Sequence, residues 1–257
     1  MEDRWATPGK WKGENKIRLK TNIAALLADG DFARVWGAGA FLGVARWLET
    51  LAVGIFVFDL TSSAAAVAVV GSMRMLPMLL LSAVVGTLAT RFSRRALLLA
   101  GTAITGLSAL TLGLLVLAGA IAVWQIALGS FLTGILWTID LPVRRTILAD
   151  IAGQARTGTA MALEAAAIHI TRMVGVGLGG LLVGTVGVEG AYLLGATLYA
   201  LVIVLLMGMG RGEALTPSFH RNLLVDSVGG LRVLAAERFL VAVLAVKIGR
   251  ASCRERV

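Results

Sequence analysis

The sequence predicts an all-α membrane protein, a bundle of six transmembrane helices followed by the start of a seventh. Three observations predict that class. Hydrophobic residues form 58% of the 257-residue chain and charged residues 15%, at a mean hydropathy of +0.85, which is more apolar surface than one soluble core can bury. Residues 96–139 hold no Asp, Glu, Lys or Arg. As a single helix they would run about 66 Å at roughly 1.5 Å per residue, about twice the ~30 Å hydrocarbon thickness, so the run must fold back once near Gly119. Finally, Arg and Lys occupy the connections on one side of the apolar segments and are missing from those on the other, the asymmetry that marks the cytoplasmic side. The alternation of a membrane barrel, in strands of about ten residues, does not occur.

The elements follow in order. Residues 1–34 carry seven Lys or Arg and form a cytoplasmic tail, too extended a basic lead-in to read as a cleaved signal peptide. Spans are expected at 35–58, 64–88, 96–118, 121–139, 159–183 and 191–209, all within one bundle over 35–210. Arg91, Arg94 and Arg95 follow the second span, Arg144, Arg145 and Arg156 the fourth, and Arg211, Arg221, Arg232 and Arg238 the sixth. The opposite connections at 59–63, Gly119 and 187–190 carry no Arg or Lys, so the amino terminus and the segment after span six face the cytoplasm. A cytoplasmic linker over 211–238 includes an amphipathic helix with Leu224, Val228 and Leu231 on one stripe, suited to the membrane surface or to a helical extension of the next span. Residues 239–247 read as the truncated start of a seventh span, and 248–257 as a translated sequencing adapter. The one cysteine, Cys253, lies in that tail, so disulfide and thiol-metal chemistry have no support. The net charge of +9 is spread over connections between spans, which argues for membrane topology and against nucleic acid as a partner.

Small residues mark where helices should touch. Gly39 and Gly43, Gly175 and Gly179, and Gly180 and Gly184 are each four apart, the spacing that lets two helix backbones approach. Gly175, Gly177 and Gly180 also spell the spacing of a dinucleotide-binding loop, but that loop follows a strand, whereas these glycines lie inside an apolar helix.

Charged side chains within the hydrocarbon cost roughly 2.5–3.5 kcal/mol each on the insertion scale, so those that remain need a partner or a function. Arg46 and Glu49 lie in the first span, Arg74 in the second, and Glu164, His169 and Arg172 in the fifth. Counting from the span ends brings Arg46, Glu49, Arg74 and Arg172 near the midplane, and they are expected to meet in one wet chamber that holds substrate or a coupling ion. Arg46 and Glu49, three apart, can pair on one face. Arg74 and Arg172 have no acid at ideal spacing in their own helices and need one from elsewhere, a carbonyl, water or an anionic ligand. Glu164 falls nearer the cytoplasmic end, where a carboxylate that is solvated or compatible with the helix dipole is unremarkable. His169 can titrate near neutrality, but a lone histidine among small apolar residues is more often silent. Pro77 removes a backbone donor and should kink the second span. With no HExxH, Walker A or GxSxG pattern, no catalytic, metal or cofactor site is expected; an intramembrane hydrolase would need Ser130 and His169 to meet.

Two connections carry a resemblance. Gly86-Thr-Leu-Ala-Thr-Arg-Phe-Ser-Arg-Arg95 resembles the signature loop of the major facilitator superfamily, Gly-x-x-x-Asp-Arg-x-Gly-Arg-Arg. Gly86, Arg91, Arg94 and Arg95 match it, with Thr90 in place of the acid and Ser93 in place of the second glycine. The segment from Asp140 through Arg144 and Arg145 is similar to the Asp-x-Pro-x-Arg-Arg segment of the branch that includes the enterobactin exporter and macrolide-efflux-like proteins. Glu164 and the stretch from Arg172 to Gly180 resemble that branch's fifth span, with Val176 where proline is usual; Arg46-Trp-Leu-Glu49 and Arg74-Met-Leu-Pro77 also look like it. The resemblance runs over about residues 31–246 and implies the amino-terminal half of a twelve-helix secondary carrier. Gly86, Arg91, Arg94, Arg95, Asp140, Arg144 and Arg145 would then form a cytoplasmic gating latch.

The expected function is proton-driven export of small molecules (a drug, siderophore or metabolite) by alternating access in a cell inner membrane. Its partners would be the lipid bilayer, the small-molecule substrate, protons and the missing carboxy-terminal six-helix half. Protonation of Glu49 or Glu164 would weaken an Arg pairing and release cargo. A non-transporting membrane sensor or assembly protein would instead show these charges paired off in a dry interior.

Overall fold

The computed structural model describes residues 21–209, apart from Phe92 and the side chains of residues 82–92. The expected linker at 211–238, the seventh span at 239–247 and the tail at 248–257 lie outside the described residues. Every regular element among the described residues is a helix, and five are long and apolar enough to cross a membrane. Residues 21–28 form a short helical lead-in.

Helix α1 (Gly30–Thr61) starts where the Asp29 carboxylate accepts from the backbone N–H groups of Asp31 and Phe32, at 3.1 and 3.2 Å. It stops at Ser62, whose φ of 49° leaves the helical region. Helix α2 (Ala64–Arg91) contains Pro77. Helix α3 (Arg94–Leu117) is capped by Ser93, whose hydroxyl accepts from the Ala96 N–H at 3.2 Å. A serine there thus performs an N-cap function that a glycine performs less well. The charge-free run turns back at Gly119, φ 66°, before α4 (Val123–Thr185). Helix α5 (Val188–Met207) follows Gly187, φ 99°.

Helix α4 has 63 residues and would be about 95 Å long if straight at roughly 1.5 Å per residue. It is not straight. Gly153 adopts φ 69° and ψ 166°, a backbone geometry reserved for glycine. Across it, Arg144 and Glu164 share a hydrogen bond although they are 20 positions apart, a separation of about 30 Å along a continuous helix. The element is therefore two antiparallel arms, 123–152 and 154–185, and all six apolar segments of the sequence are helical. The connection after the fourth span is corrected accordingly: the helix runs through Asp140, Pro142 and Arg144 to the glycine instead of ending at 139.

α1 lies at the centre, packed against both arms of α4, α5 and α2, while α3 packs against α5 and α4. Its buried stripe, from Phe32 and Val35 through Ala38, Leu42, Ala45 and Leu48 to Ala52 and Val57, repeats at helical spacing. Gly175 sits directly on α1, where a Cβ would stand 2.6 Å from the Val44 carbonyl oxygen, and Gly179 follows at 3.1 Å from that of Leu48. Gly180 makes only ordinary contact with Leu51 and is exposed, so the tight crossing rests on the first two glycines. Leu79, Leu107, Trp124, Met173 and Val204 point outward, giving the bundle the apolar exterior that lipid solvates.

Candidate functional site

The ionic side chains of the sequence separate into two buried clusters. The first joins α1 to both arms of α4. Asp140 is fully buried and accepts from Arg46 Nη2 at 2.9 Å and from Arg144 Nε and Nη2 at 2.9 and 3.2 Å. Arg144 also donates to Glu164 Oε1. Two arginines and two acids thus balance, with Arg144 forked onto Asp140 one helical turn away. Gly39 provides the room: a Cβ there would overlap the Arg144 guanidinium.

This arrangement corrects three expectations. Arg46 and Glu49 do not pair; three residues along a helix rotate about 60° around it, so Arg46 turns to α4 and Glu49 to α5. Glu164 is not solvated but 1% exposed. Asp140 and Arg144 do not lie in a connection but inside the bundle, although Arg145 beside them is exposed.

The second cluster lies between α1, α2, α4 and α5. Glu49 Oε2 accepts from the Tyr199 hydroxyl at 3.1 Å, and Gly195 leaves space beside Oε1. Arg74, 6% exposed, donates to Thr50 Oγ1 and lies within electrostatic reach of Glu49, as does Arg46. Gly134 of α4 allows the backbone of Arg74 to approach closely. A cavity of about 290 Å³ opens here, lined by Trp47, Thr50, Arg74, Ser130, Trp137 and neighbouring apolar residues. A second, apolar groove of about 560 Å³ runs along Trp47, Ile55, Phe58, Val67 and Val176, with Asp59 at its edge.

Arg172 is brought to neither cluster. It is exposed, with its guanidinium 4.4 Å from the Trp47 ring centre. Trp47 meets Trp137 edge-on at 6.3 Å, and Arg46 lies 5.0 Å from the Trp137 ring centre, so two cations are linked through two stacked-edge indoles. The single chamber expected from depth counting is therefore two clusters with an outlying arginine. Ser130 Oγ is buried without a hydrogen bond and His169 is exposed, so the pair required for hydrolysis is not formed.

Two further basic residues, Arg94 and Arg95, tie helices together at one end. Arg94 bonds Asp150 at 2.5 Å, and Arg95 donates to the carbonyls of Met207 and Met209, capping the last turn of α5. The side chains of Gly86-to-Arg91 lie outside the described residues. Tyr192 and Tyr199 were missed by sequence reasoning. Their signal was scarcity: they are the chain's two tyrosines, seven apart on one face of its most apolar span.

Known proteins place this geometry in context. The chain is 26% identical over 166 residues to the "Staphyloferrin A transporter" of Staphylococcus aureus, an alignment covering 64% of this chain and 41% of that protein. The chain thus spans about two fifths of the length of that relative. A family model described as "transmembrane secretion effector", within the major facilitator superfamily, matches residues 21–249, and the chain, a multi-pass membrane protein, belongs to that family.

Proposed function

We propose that the chain supplies the amino-terminal six-helix half of a proton-driven exporter of small molecules, working by alternating access against a second six-helix half. One observation carries this reading. A buried carboxylate, Glu49, is held by a phenol rather than an arginine and lies beside a cavity that bears Arg74, two tryptophans and Ser130. Membrane charges are retained where they bind ligands or carry protons. Glu49 is the proton carrier in this reading: when it is ionised Arg74 faces an anion, and when it is protonated Arg74 is released to a cargo anion. A cavity with Arg74 and indole walls would accept an anionic small molecule, and the relative is named for the transport of staphyloferrin A.

Asp140, Arg144 and Glu164 hold the two arms of α4 against α1 and so set the stiffness with which the half rocks. Arg94 and Arg95, with Gly86, Arg91 and Arg145, serve the latch at the end where Gly153 turns. The Lys and Arg of residues 1–34, the basic start of α3 and the basic residues on either side of Gly153 in α4 support an inner-membrane orientation with the amino terminus in the cytoplasm. The test is Glu49→Gln in the complete carrier reconstituted in vesicles. Efflux should lose its dependence on the pH gradient while cargo binding persists; unchanged proton-coupled flux would remove Glu49 from the mechanism.

A second reading, a sensor or assembly protein that moves no cargo, is favoured by one fact: of the expected cavity charges, Arg46 is taken up in a buried ion-pair cluster with Asp140, Arg144 and Glu164. Flux of any cargo driven by an imposed pH gradient decides between them.

A further inference from the structure

Three buried polar atoms gather around one small void. Glu49 Oε1, Ser130 Oγ and Tyr192 Oη make no hydrogen bond within the protein, and their residues are 3%, 3% and 2% exposed. All three residues line a void of about 10 Å³ between α1, α3, α4 and α5, which Arg74 of α2 lines as well. Buried oxygens left without a partner are costly, and such a convergence points to a ligand that donates and accepts at once. Roughly 10–15 Å³ holds one water, which needs about two to four polar partners. The void offers a carboxylate oxygen and two hydroxyls. Arg74 in its lining opposes a metal cation in the same place.

The void adjoins the larger cavity. Ser130 and Arg74 line the 290 Å³ cavity as well, whereas Glu49 and Tyr192 do not. We infer that the void is a site for one internal water, and that this water and the Ser130 hydroxyl form the path by which Glu49 exchanges its proton with the cavity. The inference rests on Glu49 being the proton carrier. The groups that face Glu49 are Arg74 from α2, Tyr192 and Tyr199 from α5, and Arg46 on its own helix. From α3 and α4 the non-titrating residues Ser108, Ser130 and Thr133 line the same void.

The step balances without a further reactant. A hydronium in the cavity gives a proton to Ser130 Oγ as Ser130 passes its own hydroxyl proton to the internal water. That water in turn gives one of its protons to Glu49 Oε1. One O–H bond breaks in the cavity and one forms on the carboxyl group, and both the serine and the water are restored. Tyr192 fixes the water in place and takes no part in the transfer.

Infrared spectroscopy of the full chain in lipid vesicles tests this apart from transport. The Glu49 carboxyl band, assigned by its loss in Glu49→Gln, is followed as the vesicles pass from light to heavy water. Ser130→Val removes the hydroxyl and should slow deuterium exchange at Glu49 by about tenfold or more, while Ser130→Thr keeps the wild-type rate. Tyr192→Phe should slow exchange to a lesser degree, with helix content by circular dichroism unchanged in each variant. Exchange in Ser130→Val at the wild-type rate would overturn the path, as would a Glu49 band that shifts with sodium but not with acid, or no exchangeable Glu49 band down to acidic pH. Slow exchange in Ser130→Val together with unaffected proton-coupled flux in Glu49→Gln would keep the water path and remove only the coupling role.

Discussion

Two charge clusters are buried in the same bundle, and they differ in what satisfies them. In the Arg46–Asp140–Arg144–Glu164 cluster each charge bonds an opposite charge. In the Glu49–Arg74 cluster the anion is held by a phenol and the cation by a hydroxyl, and three oxygens around the void have no hydrogen-bond partner, against one, Glu164 Oε2, in the first cluster. The first arrangement resists change because removing any member strands another charge in a low-dielectric interior. The second can gain or lose a proton with less disruption, because its direct partners are neutral groups. Burial of charge therefore serves architecture in one cluster and, in the proposed function, chemistry in the other.

The largest expected effect tests that division. Asp140→Ala leaves two arginines facing each other without their shared anion and should cost roughly 3–5 kcal/mol of stability, read by denaturant unfolding in detergent. Glu49→Gln keeps the shape and an acceptor for Tyr199, and should stay within about 1 kcal/mol of wild type on the same scale. Equal costs for the two variants would erase the distinction between the clusters.

A smaller effect sharpens the geometric half of the comparison. The first cluster closes with Glu164 on the second arm of α4, which packs on α1, and Gly175 sets the distance of that crossing against the Val44 carbonyl. Gly175→Val must push the backbones apart and should cost roughly 1–3 kcal/mol, by the same unfolding measurement. Gly180→Val, on the exposed side of the same arm, should fall within about 0.5 kcal/mol. If the two glycines respond alike, the crossing is not where α1 and α4 are held.

How much of this was legible follows from what hydropathy measures. It locates lipid, so the six apolar segments and the turn at Gly119 could be read directly. It does not locate the ends of helices, and at Asp140–Ala152 the two part company: the charges end the apolar run, yet Asp140 and Arg144 neutralise each other one turn apart and the helix continues. An expected level along each helix was readable by counting residues from the span ends, which put Arg46, Glu49, Arg74 and Arg172 together. Direction around each helix was not, since a difference of about 60° decides whether a side chain meets α4 or α5. Tyr199 and Ser130 became meaningful only beside Glu49, because a hydroxyl in an apolar span reads as packing until its partner is known.

Arg172 gives the smallest effect and the finest test, because it belongs to neither cluster yet touches the edge of one. Its guanidinium lies over Trp47, which meets Trp137, which in turn lies under Arg46. If that chain of contacts is only a surface cation–π pair, Arg172→Ala should cost about 0.5–1 kcal/mol, the range for exposed sites. The double mutant with Trp47→Leu should then show a coupling of the same size, because each single change removes the one interaction they share. A much larger coupling would mean that disturbing Trp47 also displaces Trp137 and loosens Arg46 from Asp140. Arg172 would then report on the balanced cluster from outside, and the boundary drawn between the architectural charges and the exposed face would have to move to include it.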